Sequence, residues 1–161
     1  MAFSSLRSLM GASSGGGGGR GVFGGGNDGS SSNVIDYITI GSTGDATDFG
    51  NLTVARHYLS ATSNGTRGVF GGGTTGSNSN VIDCITIGST GDATDFGDLS
   101  VTRRALAATS NGTTDRGVFG GGFVASASNV IDYITISSTG DATDFGDLTV
   151  ARNGLAATSN A

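Results

Sequence analysis

The sequence predicts an all-β fold, and three observations carry that prediction: what the composition leaves out, a repeat of nearly fixed period, and short alternating segments punctuated by glycine turns. Across 161 residues the 8 basic side chains are all Arg and the 13 acidic ones all Asp, with no Lys, Glu, Gln, Pro or Trp. These absences remove most of the strong surface-helix formers, while Ile, Val, Thr and Phe, which suit a pleated half-buried surface, are plentiful. Gly supplies 31 residues and hydrophobic side chains 35% of the chain. Together they match the apolar share of globular domains, which argues against disorder, and the length suits one domain.

The repeat is read directly from the sequence. RGVFGGG begins at Arg20, Arg67 and Arg116, with spacings of 47 and then 49 residues. The two extra residues fall in NGTTDRG (Asn111 to Gly117), against NGTRG (Asn64 to Gly68), so they lengthen a turn and leave the remainder in register. The chain divides into residues 1–19, a docking segment and Gly-rich linker or a first blade strand, and three repeats over about 20–66, 67–115 and 116–161. A period near 47 falls between the blade repeats of roughly 40–45 and roughly 50 residues seen in propellers.

Four strands are expected in each unit. Leu59 to Ser63 ends at Asn64-Gly65, a dipeptide that favours tight hairpin turns. Arg67 to Phe70 runs into the glycines 71–73. Asn80 to Ile87 alternates, with Val81, Asp83, Ile85 and Ile87 on one face and Ile82, Cys84 and Thr86 on the other. Ala93 to Leu99 follows the Ser-Thr-Gly-Asp turn at Ser89 to Asp92. Such a unit cannot bury both faces alone, so stacking is required.

The segment from Asn51 to Gly73, followed by the NVIDYITI strand, resembles the kelch repeat: an Arg, a short strand, an Asn-Gly turn, a strand ending in two glycines, and a strand carrying Tyr. The resemblance covers about residues 20–161, with Arg56, Gly71, Gly72 and Tyr37 at the pattern's Arg, double Gly and Tyr. Its Trp would fall at Ala46, Ala93 and Ala142, so packing between blades is expected to lean on Phe49, Phe96 and Phe145. The resemblance implies a kelch-like β-propeller of three four-stranded blades per chain. The wording of IDYITI, TGDATDFGDLTVAR and RGVFGGG is also similar to kelch-like virion proteins of tailed bacteriophages, including marine ones. That likeness implies a structural role in a virion.

Residues present in every copy are expected to be scaffold, because every blade needs them and a binding site needs them once. Gly19 to Gly24 matches the G-x-G-x-x-G spacing but lacks the strand before and the helix after that a dinucleotide site requires. Asp45 and Asp48, with their copies Asp92, Asp95, Asp141 and Asp144, lack the alternating ligand spacing of a calcium loop and are read as turn caps. Asp36, Asp83 and Asp132 lie on a mainly apolar strand face, where a charge is costly unless paired. Arg56, Arg103 and Arg152 are their expected partners. The single imidazole, His57, is matched by Arg104 and Asn153 in the other copies and is read as a loop residue, not a general base. Lone Cys84 replaces Tyr37 and Tyr133 as a packing variant and rules out an internal disulfide.

The positions that differ between copies point to recognition. The loop after the glycines reads NDGSSS (Asn27 to Ser32), TTGSNS (Thr74 to Ser79) and FVASAS (Phe123 to Ser128). Variable loops on a rigid scaffold are where binding is usually placed. The partner-binding residues expected are Phe123, Val124, His57 and Tyr58, together with Phe3, Leu6 and Met10 as one apolar stripe of a short N-terminal helix. No catalytic, cofactor or metal site is expected.

A net charge of −5 with no Lys gives little pull toward phosphate backbones, so nucleic acid is not an expected partner. No apolar run is long enough to span a bilayer. The first twenty residues lack the basic start and continuous apolar stretch of a secretory signal, which fits assembly in a host cytoplasm and release with the particle. Three blades fall below the four to eight of a closed propeller, so the ring is expected to be completed by a second copy, giving a six-bladed homodimer. The reading is a non-enzymatic virion component, in an appendage, tail or capsid surface, contacting other virion proteins and a host-surface glycan or protein. The alternative is a free lectin-like or peptide-binding module.

Overall fold

The computed structural model describes residues 19–111 and 115–160. Among the described residues there is no helix, and the strands are β1 (Arg20–Gly24), β2 (Val34–Thr39), β3 (Thr47–Asn51), β4 (Ser60–Ser63), β5 (Arg67–Gly71), β6 (Val81–Thr86), β7 (Thr94–Asp98), β8 (Ala107–Ser110), β9 (Arg116–Gly120), β10 (Val130–Thr135) and β11 (Thr143–Asp147). They form three antiparallel sheets, ordered β1-β2-β3, β4-β5-β6-β7 and β8-β9-β10-β11. The all-β reading holds, and the four segments expected around the second repeat are β4 to β7 within a few residues at each end.

The sequence repeat becomes a repeat of register. Val22 stands opposite Tyr37, Val69 opposite Cys84 and Val118 opposite Tyr133. Cys84 is buried and packs with Val69, Ile82 and Phe119, which suits a thiol acting as a small apolar side chain. Each sheet carries the same irregularity, between Ile35 and Asp36, Ile82 and Asp83, and Ile131 and Asp132. Opposite it, Gly50, Gly97 and Gly146 take φ of 145°, 142° and 135°, a backbone that only glycine adopts without strain.

Strand alternation places one set of side chains against each neighbouring sheet. From the second sheet, Val69, Ile82, Cys84 and Phe96 pack with Phe119, Ile134 and Ile136 of the third. Its opposite face sets Phe70 and Ile85 against Ile35, Phe49 and Leu52 of the first. Among the described residues the middle sheet is therefore covered on both faces, while the first and third are each covered on one.

Two expectations are corrected by this arrangement. Phe49 and Phe96 are each 2% exposed, as core residues should be, but Phe145 is 53% exposed because no described sheet covers its face. The first sheet shows three strands among the described residues, not the four expected of each unit, and Leu155 to Asn160, which repeats the sequence that forms β8, forms no strand. Residues 1–18, which hold the expected docking segment or first blade strand, lie outside the described residues.

Candidate functional site

The repeated charges are structural. Arg56, in the connection between the first and second sheets, donates from Nη2 to Asp83 Oδ2 at 2.9 Å and to the Phe70 carbonyl at 3.0 Å, and from Nη1 to the Val81 carbonyl at 3.0 Å. Arg103 repeats this one unit later, with Asp132 at 2.8 Å and the carbonyls of Phe119 and Val130. All four side chains are fully buried. Burial pushes both guanidinium groups below their ordinary pKa, and the facing carboxylates offset part of that. Thr53 and Ser100 supply further donors to Asp83 and Asp132. The expected Arg–Asp pairing is thus present twice; Asp36 and Arg152 are not brought together within the chain.

The acidic turns also bind across sheets. Asp92 Oδ1 accepts from the backbone N–H of Asn51 at 2.9 Å, and Asp141 Oδ1 from that of Asp98 at 3.0 Å. The turn-cap reading of these repeats is therefore corrected for Asp92 and Asp141, whose carboxylates tie neighbouring sheets. Asp144 keeps the local pattern, accepting from the Gly146 N–H.

The variable loops lie along one edge, each released from its strand by two glycines of positive φ, such as Gly72 at 70° and Gly73 at 100°. Single β-bridges join His57 to Thr74 and Arg104 to Phe123 across neighbouring loops, while Thr74 with Asn78 and Phe123 with Ala127 close a loop on itself. Side chains fasten the row. His57 Nδ1 shares a hydrogen bond with Ser31 Oγ at 3.0 Å, and Arg104 donates to Asn78 Oδ1 at 2.8 Å. Asn78 Nδ2 in turn donates to the carbonyls of Phe123 and Val124, at 3.0 and 2.6 Å. The Arg104 guanidinium sits 4.7 Å above the Phe123 ring, a cation–π contact.

Of the partner-binding residues expected from sequence, this edge holds four. Tyr58 is 62% exposed, with its ring 4.8 Å from that of His57, and Val124 is 37% exposed. Phe123 is half-buried beneath Arg104. The Tyr58 carbonyl accepts from the Ala105 N–H at 2.8 Å, which joins the His57 end of the row to the Arg104 end. Phe3, Leu6 and Met10 lie outside the described residues. Sequence reasoning placed Ser31 and Asn78 in the variable loops without singling them out, and missed Arg104. The signal was available, since all three occupy positions that differ between copies. Among the described residues no group of three or more His, Cys or Asp side chains is placed to hold a metal ion. No protein-family model and no curated protein matches the chain.

Proposed function

We propose that the chain is a non-enzymatic structural and binding module: its sheets act as kelch-like propeller blades, and it serves as a component of a bacteriophage particle, in an appendage, the tail or the capsid surface. The observation that carries this reading is the division of labour between repeated and variable residues. Repeated Arg, Asp and Gly are consumed in joining sheet to sheet, as in the fully buried Arg56–Asp83 and Arg103–Asp132 pairs. Variable residues are gathered on one loop edge, where an aromatic ring and an apolar side chain stand exposed. An edge of this kind suits contact with another protein or a host-surface glycan, since exposed aromatics supply contact area at low entropic cost. The virion assignment rests on the repeat wording.

The test is to purify particles of the virus that encodes the chain and label them with an antibody raised against it. Stoichiometric labelling at one place on the particle is expected. If the protein is made during infection but stays in the unbound fraction of the lysate, the virion reading is wrong and a free glycan- or peptide-binding module takes its place.

A further inference from the structure

Each junction between neighbouring sheets uses the same pairings, and at the two ends of the stack one half of each pairing stands open. Asp83 and Asp132 receive Arg56 and Arg103 from the preceding unit. Asp36, the matching carboxylate of the first sheet, is half-buried and has no ion-pair partner among the described residues, while Arg152, the matching Arg after the third sheet, is exposed. Aromatic packing shows the same asymmetry. The rings of Phe70 and Phe119 lie against Gly24 and Gly71, so closely that a Cβ there would come within 2.8 and 2.7 Å of them. Phe23, in the equivalent place on the first sheet, is 59% exposed, against 3% and 0% for Phe70 and Phe119. Gly120, the equivalent glycine on the third, has only Ile131 within reach of an added Cβ.

The strand inventory agrees. LSATSN and LAATSN, beginning at Leu59 and Leu106, supply β4 and β8, which pair with β5 and β9. A third LAATSN, Leu155 to Asn160, forms no strand, and among the described residues β1 carries no strand on the edge away from β2. Beside β1 lies a cleft of about 210 Å³ lined by Arg20, Val22, Ala61, Thr62 and Gly68 among others. One unit further on, β4 occupies the equivalent place, with Thr62 against Gly117 and the Ser63 carbonyl accepting from Ser110 Oγ.

The geometry points to a second copy of this chain as the occupant of both open ends. Arg152 of one copy enters the Asp36 site of the other and donates to the Phe23 and Val34 carbonyls, as Arg56 does to those of Phe70 and Val81. Phe23 seats on Gly120, and Leu155 to Asn160 lies antiparallel along β1, adding a strand to an open edge. The contact is heterologous, and it closes when two copies each present both ends. This rests on the kelch-like blade reading of the proposed function, but is tested apart from any particle.

The full chain should have twice the 15.7 kDa monomer mass in light scattering at micromolar concentration. Arg152→Ala and Asp36→Asn, at opposite ends, should each halve that mass while the far-ultraviolet β signal stays. In the register of β4 on β5, Thr62 faces Val69, so Thr158 of one copy faces Val22 of the other. Val22→Cys with Thr158→Cys, in a Cys84→Ala background, should oxidise to a covalent dimer. A monomeric native chain, an oligomer indifferent to both end variants, or a disulfide closed within one chain each overturns the proposal. So does failure of the two introduced thiols to couple, which would give the edge of β1 to the N-terminal segment. A virion protein that proves monomeric leaves the virion reading standing; a dimer missing from particles leaves the docking standing.

Discussion

The Phe96 carbonyl accepts a 2.8 Å hydrogen bond from the N–H of Gly140, in the turn of the next sheet. The approach is possible because Gly97, beside Phe96, has no side chain: a Cβ there would lie 2.5 Å from the Gly140 carbonyl oxygen. The Phe49 carbonyl and the Gly91 N–H make the same bond at 2.7 Å. Backbone is thus joined to backbone at each junction, and the glycine of the bulge sets how closely two sheets can stack.

Gly97→Ala should therefore be strongly destabilising, by at least the 1–3 kcal/mol or so of a residue forced into a glycine-only backbone region. Gly88→Ala is the control, since a Cβ at Gly88 meets nothing within 4 Å and its φ is not in the positive region. Urea denaturation of the two variants should separate them clearly, and equal midpoints would show that the junction tolerates a wider spacing.

Removing one member of a buried ion pair leaves the other charged and unsolvated. Arg103→Ala or Asp132→Ala should cost about 3–5 kcal/mol, as expected for breaking a buried pair. Arg103→Lys should rescue little, because the ammonium cannot reproduce the planar fork that serves Asp132 and two carbonyls together. Chemical denaturation measures all three; a loss below about 1 kcal/mol would place the pair among solvent-screened contacts.

The strands were legible because their signals are local. Alternation in Asn80 to Ile87 and the Asn-Gly and Ser-Thr-Gly-Asp turns act within a few residues, and β6 and its neighbours formed where those signals lay. The Arg–Asp pairs were legible because a carboxylate on an apolar strand needs a partner. The exposure of Phe145 was not legible. Its surroundings in sequence match those of Phe96 almost residue for residue, and only position in the stack separates them. For the same reason Leu155 to Asn160 reads as a strand, though a strand needs a neighbour that no local pattern supplies. The loop edge was legible as variation between copies, but not the ties from His57 to Ser31 and from Arg104 to Asn78, which link residues 26 apart.

Position in the stack gives a direct comparison. Phe96→Ala should cost about 3–5 kcal/mol as a large-to-small core change. Phe145→Ala, made in the Arg152→Ala background so that the end face stays open, should stay within about 0.5 kcal/mol, as at an ordinary surface site. Thermal denaturation of the paired variants checks this, and similar costs would mean that the third sheet is covered after all.

Asp115 provides a pH-dependent tie. Its carboxylate accepts from the Ser137 N–H at 3.0 Å and from Asn64 Nδ2 at 2.5 Å, and hydrogen bonding from Ser137 and then Asn64 holds its pKa below the ordinary 3.8. A carboxylate with a depressed folded-state pKa contributes stability that is complete above the unfolded value and lost as pH falls through the folded one. Asp115→Asn should therefore lower the melting temperature slightly at pH 7, by an amount that shrinks as pH falls below 3.8. A deficit that persists undiminished at pH 2 would remove ionisation as the cause.

The loop edge should be separable from stability. Tyr58 has φ of 57° and is 62% exposed, so Tyr58→Asn removes the ring while keeping a residue that tolerates the left-handed region. Val124→Ser removes the neighbouring apolar contact at a site already open to water. The double variant should fold with a stability change within about 1 kcal/mol, because neither side chain belongs to the packed clusters between sheets. On the function proposed above, its attachment to particles or to host-cell surface, measured by co-sedimentation, should fall at least tenfold, as loss of a central aromatic contact does when its energy exceeds about 1.4 kcal/mol. Arg104→Ala should weaken attachment less directly, by freeing the Phe123 ring and the Asn78 amide that fix the loop. Undiminished attachment in a folded double variant would move the contact surface away from this edge and onto a part of the chain that the repeats do not vary.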